Sequence, residues 1–486
     1  MIFKGINIKK IVTANLILIV IFLLATILRT WDIPNRIVFF DDAAYDIRQA
    51  QTAIENKTIP LLGIPSSLPR FRQGPVTVWA NMALSLLFNN NLTGFAVFYI
   101  FLSLLALVLT YEFCEKYLSK EVSIIATTLM ALSPLAIAQA RMPYHTNPIP
   151  LALILFLFAL MRLYEKKKNG VFFAVLSWAF LFQFELAVFP TIALIPYVLY
   201  RTNRLKKAKI KSLLKEATPA LGIGLLPQII YDLQNGFSQL GLFIVWVGYR
   251  VVSLFGGKHS FGSDKLNVVS DAFIKYGGRI FSADIFLINL IFFVIIIYSF
   301  VVIYKGFKKK KLNKALEIVG VFTIILTAGY LAHGGPSEAY FPPFIILFPI
   351  LVAVAMEQIF KGKLMILAGL LILWGGLNIR SVFDHNFFVS NSQDFSYSYS
   401  VGEQKKVVEF IIDHSGGDFK FDTTREIRKF DSVFDNLRLL SDQQGVSENP
   451  ESKKYYYIEE KNSLLKEVPL TKVQHFPSVD VYYYEE

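Results

Sequence analysis

The sequence predicts an α-helical polytopic membrane protein of about eleven transmembrane helices, closed by a small α/β domain at the C-terminus. Composition is the first reason. Of the 486 residues, 54% are hydrophobic and 18% charged, whereas about a quarter of a soluble domain is charged. The second reason is the spacing of apolar runs. Residues 11–28, 95–113, 285–304 and 341–356 each approach the roughly twenty apolar residues that take a helix across about 30 Å of hydrocarbon. The third is where the basic residues fall. A formal charge of +12 is concentrated in short loops at 166–168, 201–215 and 305–314, while the chain beyond residue 384 is mildly acidic. Basic short loops mark the cytoplasmic side of a membrane protein, and this placement argues against a nucleic-acid partner.

Taken in order, the elements give one consistent topology. Helix 1 (11–28) follows Lys9 and Lys10 as a signal peptide would. No small-residue cleavage site follows, so it reads as a retained first helix leaving a cytoplasmic N-terminus. A long outer segment, 30–94, comes next. Helix 2 (95–113) returns to the basic stretch 116–120, and helix 3 (121–139) goes out to the short loop 140–147. Helix 4 (148–164) ends at a lysine run. Helices 5 and 6 form an outer hairpin around 183–186, and helix 7 (217–231) leads to a second long outer segment, 232–283. Helix 8 returns to 305–314, and helix 9 (316–331) reaches an outer turn at 333–340. Helices 10 and 11 are joined by 361–363. Every basic loop then lies on one side. Residues 76–88 are too short to cross comfortably, and counting them as a span would invert every later loop, so they are read as an interfacial or re-entrant helix. Residues 240–255 are ambiguous in the same way.

The chain divides at about residue 380, with a membrane domain (1–380) and an extracytoplasmic soluble domain (381–486). In the tail, Val407, Val408, Ile411 and Ile412 form a helical stripe. Residues 420–422, 455–459 and 479–484 read as strands rich in aromatic and β-branched residues. A single cysteine, Cys114, excludes an intrachain disulfide and a Cys-based metal site.

The chemistry concentrates in the first outer segment. It contains Phe39-Phe40-Asp41-Asp42-Ala43-Ala44-Tyr45-Asp46 and then the basic turn Pro69-Arg70-Phe71-Arg72-Gln73-Gly74-Pro75. A carboxylate there can take a proton from an attacking hydroxyl, and arginines can hold a departing phosphate by charge-assisted hydrogen bonds. Equally, Asp41 and Asp42 suit the cap of a helix starting at Ala43, since Asp is a favoured N-cap. Glu185, with Gln183 beside it, is either a functional acid near the membrane or a wetted hairpin residue. Arg141 is either a phosphate contact or a helix-end arginine reaching the lipid head groups. His145 and His333 lie on outer loops. His259, His385, His414 and His475 read as surface residues, and no paired spacing points to a metal site.

These residues carry a resemblance. Asp41-Asp42-Ala43-x-Tyr45, about thirty residues before Gly74-Pro75-x-x-x-Trp79, resembles the first outer loop of the GT-C glycosyltransferase superfamily. It is most similar to the protein O-mannosyltransferase and aminoarabinose-transferase branch. Arg141-x-x-x-x-x-Asn147-Pro148 resembles the second outer-loop motif, and the order of elements agrees over about the first 200 residues. Farther on the match is one of architecture, with Ala339-Tyr340-Phe341-Pro342 before a late helix. The resemblance implies transfer of a sugar from a polyprenyl-phosphate donor to a hydroxyl of a lipid, glycan or protein, outside the cytoplasm. It maps the catalytic general base of an inverting displacement onto Asp41. Asp42, Tyr45, His145, Asn147 and Glu185 would shape the donor and acceptor sites, and Arg70, Arg72 and Arg141 would neutralise the lipid phosphate. It requires no cofactor and leaves a divalent metal open.

Two positions depart from the branch. Its phosphate-contacting Lys falls at Gln73, and its second-loop Asp falls at Asn147, which can orient a hydroxyl but cannot take its proton. Two other readings stand beside the enzyme. A transporter or lipid flippase would place charge within broken helices near the membrane midplane, often in repeated halves. A GT-C-like assembly partner without activity would accommodate Gln73 and Asn147.

Overall fold

The computed structural model describes residues 8–66, 70–207, 210–255, 263–283, 285–384, 400–422, 434–460, 472–477 and 479–485. Pro69, His259 and His385 lie outside them. The first span is α1 (Ile8–Thr30), followed by a single turn, α2 (Ile33–Arg36). The outer segment then forms α3 (Asp41–Glu55) and α4 (Val76–Phe88). α4 has the bounds read from hydropathy, and it stops at Asn89 in the left-handed conformation (φ 47°), which Asn tolerates better than most residues. α5 (Leu92–Tyr117) begins under the Asn91 cap, whose side chain accepts the Thr93 N–H at 2.9 Å.

The third span, expected as one helix over 121–139, is a broken pair. α6 (Lys120–Ala131) and α7 (Pro134–Ala140) meet at a 63° bend. Proline at the first position of α7 has no N–H to continue the ladder, and the Ser133 hydroxyl caps the new helix by accepting the Ala136 N–H. A break in the apolar layer leaves carbonyls that need partners. Arg29, fully buried at the end of α1, donates to the Ala131 and Met130 carbonyls at 3.0 and 3.2 Å. Asn378 donates to the Leu132 carbonyl at 3.1 Å.

Beyond it come α8 (Ile149–Tyr164), α9 (Gly170–Phe182), a 3-10 segment (Leu186–Ala193), α10 (Leu194–Arg201) and α11 (Arg204–Lys207). The seventh span is also interrupted: α12 (Ile210–Gly224) and α13 (Leu226–Gln234) join at Leu225, just ahead of Pro227. α14 (Ser238–Phe255) and α15 (Ser263–Ala272) follow, then α16 (Phe286–Lys308), α17 (Lys314–His333), α18 (Phe344–Ile359) and α19 (Leu364–Asp384). Among the described residues, four helices (α5, α16, α17 and α19) are long and apolar enough to cross a membrane, and the bent α6–α7 pair makes a fifth. Shorter apolar helices, including α4, α8, α9 and α18, pack with them.

The C-terminal domain has α20 (Val401–Ser415), β1 (Lys420–Asp422), α21 (Asp435–Gln443), β2 (Lys454–Glu460), β3 (Lys472–His475) and β4 (Val479–Glu485). Its sheet has the order β1-β2-β4-β3, with β1 parallel to β2 and the other pairs antiparallel. The stripe Val407, Val408 and Ile411 is buried on α20. β3 gave no sequence signal because Val473 is its one aliphatic residue. This domain is docked on the first outer segment. Gln404 donates to the Phe39 carbonyl at 2.7 Å, Arg48 pairs with Asp435 at 3.3 Å, and Gln443 donates to the Asn90 carbonyl at 2.9 Å.

Candidate active site

The site is organised on α3, which starts two residues earlier than expected. Phe40 is its N-cap, with no side-chain cap, and Asp41 and Asp42 are its first helical residues. Acids in a first turn face the positive end of the helix dipole, so neither is needed as a cap. Helical spacing sorts the side chains into two stripes: Asp41, Tyr45 and Arg48 on one, Asp42 and Asp46 on the other.

The first stripe meets the C-terminal domain and the Arg72 loop. Asp41 is half-buried, and the Phe434 backbone N–H bonds to its carboxylate. Burial, then the negative charges of Asp42 and Asp435, push its carboxyl up to about 7. Tyr45 holds two polar neighbours, accepting from Arg72 Nη2 at 3.2 Å and from Gln49 at 2.7 Å. The Arg72 loop is itself clamped by Gln239, whose amide accepts the Arg72 N–H at 2.9 Å and donates to the Arg70 carbonyl at 3.2 Å. The Arg70 side chain is exposed.

The second stripe leads inward. Asp46 is fully buried and accepts the His145 backbone N–H at 3.2 Å, and its carboxylate lies 3.4 Å from His145 Nδ1. On the far side of the imidazole, Nε2 lies 3.8 Å from Glu185. Glu185 accepts from the Gln73 amide at 3.5 Å and caps the 3-10 segment by accepting the Ala187 N–H at 3.1 Å. Burial alone would lower the imidazole, but bonding to Asp46 and then Glu185 outweighs it and raises His145 to about 9. Burial also raises Asp46 above the usual carboxylate range, against the pull of His145. Asp46 Oδ1, Gln73 Oε1, Gln139 Oε1 and Asn147 Oδ1 are buried here with no protein hydrogen-bond partner. Such atoms are rare in folded proteins and collect where water or a polar ligand sits.

Two candidates have scaffold contacts. Arg141 is buried and donates to the Arg29 carbonyl at 3.3 Å and to the Leu28 carbonyl, the exposed end of the α1 ladder. Burial and the Arg36 charge lower it to about 10. Asn147 donates to the Gln139 and Met142 carbonyls and closes the turn before α8. The structure therefore joins Tyr45 to Arg72, and Asp46, His145, Glu185 and Gln73 into one chain, and it turns Arg141 and Asn147 to the backbone. Sequence reading missed Asp46 as a site residue, although its spacing of four from Asp42 was a legible signal. Phe434, Asp435 and Arg438 left no such trace. His333 packs edge-on against Tyr340 with ring centroids 5.2 Å apart. His414 bonds Tyr456 Oη at 2.6 Å, and His475 pairs with Asp480 at 2.8 Å. Among the described residues no group of His, Cys, Asp and Glu has the arrangement of a metal site.

An aromatic cavity of about 230 Å³ opens beside Arg72, Gln73 and Gly74, walled by Trp178, Phe182, Phe189 and Phe243. A Cβ on Gly74 would lie 1.3 Å from the Gln183 amide oxygen, so a side chain there would displace the Gln183 amide.

Comparison with known proteins identifies the class. The architecture matches two crystal structures of ArnT from Cupriavidus metallidurans, one in the apo state and one bound to undecaprenyl phosphate. TM-scores are 0.57 and 0.55, at 10% identity over 99% of this chain and 98% of that chain. The chain therefore has the fold of ArnT over nearly its whole length. A family model described as dolichyl-phosphate-mannose-protein mannosyltransferase matches residues 72–226, the stretch holding Arg72, Gln73, His145 and Glu185. The sequence matches no curated protein.

Proposed function

We propose that the protein is a glycosyltransferase that moves a sugar from a polyprenyl-phosphate donor to an acceptor hydroxyl on the extracytoplasmic face of the cytoplasmic membrane, with inversion. The observation that carries this reading is Asp41: a half-buried acid with its carboxyl near neutrality, at the residue onto which the motif resemblance maps a general base. A general base works best with a pKa close to the working pH. Asp41 takes the acceptor proton as the oxygen attacks the anomeric carbon and the polyprenyl phosphate leaves. Arg72, oriented by Tyr45, faces the departing phosphate. The aromatic cavity beside it accepts the first prenyl units. Nucleotide sugars stay in the cytoplasm, so a site on the outer face needs a donor delivered through the membrane.

The test is donor turnover. Purified protein is reconstituted with a panel of polyprenyl-phosphate sugars and candidate acceptors, and release of polyprenyl phosphate is compared between wild type and Asp41→Asn. Turnover by wild type with a loss of about a hundredfold or more in the variant supports the reading. Equal turnover removes Asp41 from the chemistry, and no turnover with any donor shifts weight to transport or to an assembly role.

A further inference from the structure

A second cavity, of about 610 Å³, lies on the lipid-facing side of the α8–α9 pair. One face of each helix lines it: Ala152, Leu155, Phe158 and Ala159 on α8, and Phe173, Leu176 and Phe180 on α9. These spacings of three and four keep each set on a single helical stripe, and ten residues of helix span about 15 Å. The groove therefore runs for about 15 Å along the two helices, about half the hydrocarbon thickness of a bilayer.

Its two ends differ. Near the site it is bounded by Trp79, Gln183 and Pro227, and at the remote end by Lys116, Tyr117, Arg162 and Lys167. Lys116 and Lys167 are exposed. Lys116 Nζ stands 4.9 Å from the Tyr117 ring centre, and the Arg162 guanidinium 4.9 Å from that of Phe173. Lys167 pairs with Glu165 at 2.6 Å and Arg162 donates to the Lys168 carbonyl at 2.8 Å, but the charged side chains that line this end are all cations. A prenyl tail reaching down from the active site would need no charge at this depth. A lipid seated from the opposite leaflet would need charge at the mouth.

We infer that this groove is a binding site for one anionic phospholipid of the leaflet remote from the active site. Its phosphate sits among Lys116, Arg162 and Lys167, and its acyl chains lie along the α8 and α9 stripes. Basic pockets between membrane helices select anionic head groups for this reason, each Lys or Arg near the surface adding about fivefold. The inference is independent of the reaction proposed above.

The test is native mass spectrometry of the full chain from micelles containing equal phosphatidylglycerol and phosphatidylcholine. Retention of one phosphatidylglycerol is expected. It should weaken by about thirtyfold in Lys116→Gln/Lys167→Gln, the product of two such fivefold contributions, and be blocked by Leu155→Trp, which fills the groove. Lys309→Gln/Lys310→Gln removes the same charge from a loop that does not line the groove and should leave retention unchanged. Three results would overturn the inference: equal retention of phosphatidylcholine, equal loss in both lysine pairs, or stoichiometric displacement of the phospholipid by polyprenyl phosphate. The last would hand the groove to the donor tail.

Discussion

Asp46 grips His145 at two points, accepting its backbone N–H at 3.2 Å and facing its ring Nδ1 at 3.4 Å. The contact ties the helix that presents Asp41 to the loop 140–147. Through Glu185 on the other side of the ring it reaches the turn 183–186 and Gln73. Three separate segments thus meet at one imidazole.

That ion pair gives the protein a pH-dependent stability. With His145 raised to about 9 in the folded protein and near 6.5 when unfolded, its stabilisation is complete below about 6.5 and is lost as pH rises through about 9. Thermal unfolding in detergent should show a lower Tm on passing from pH 6.5 to 9.5. His145→Gln should be less stable at pH 6.5 and nearly flat across the window. A variant as steep as wild type would remove His145 from this role.

Breaking the pair from either side should be costly. Removing one partner of a buried ion pair leaves the other charge uncompensated, at roughly 3–5 kcal/mol. Asp46→Ala and His145→Ala should each lower stability by that order, and the double variant by much less than their sum. Additive losses would show that the two residues act separately.

Asp41 sets the expected rate profile. In the proposed reaction Asp41, with its carboxyl pushed up to about 7, must be ionised to take the acceptor proton, so turnover should rise with pH through about 7. Asp435 lies close enough to oppose that ionisation. Asp435→Asn should move the acidic limb to lower pH, with the plateau rate largely kept. A limb that stays in place would show that the C-terminal domain does not tune the base.

The proposed reaction puts the donor phosphate beside Arg72 and Gln73. Arg72→Gln removes a hydrogen bond to a charged group, worth roughly 1.5–3 kcal/mol, and should raise the donor KM about tenfold or more with a smaller change in kcat. Gln73→Lys restores a cation beside Glu185 and should lower the donor KM. Unchanged KM values in both variants would place the phosphate elsewhere.

Arg29 carries a structural prediction. Its guanidinium serves the Met130 and Ala131 carbonyls at the α6–α7 break. Arg29→Met keeps the volume but strips those donors from a buried backbone, at about 1–3 kcal/mol per unsatisfied group. Tm should fall by several degrees in detergent, and a silent substitution would mean that other donors satisfy the break.

The sequence by itself determined the class of this protein. Apolar runs and one-sided basic loops specify a polytopic membrane chain because hydrocarbon forces every backbone polar group into a helix. Local chemistry was legible for the same kind of reason: α4 stops at Asn89, and the Asp41–Tyr45 motif lies on one short helix, whereas the break at Pro134 within 121–139 was not read from the sequence. What only the tertiary structure decided was which distant groups meet. Asp435 is far from Asp41 in the chain, so its effect on that carboxyl left no local pattern. Nor could spacing tell that Arg141 would turn to the Leu28 and Arg29 carbonyls. Broken helices create unpaired carbonyls whose positions depend on packing, and a buried arginine is claimed by whichever of them it reaches.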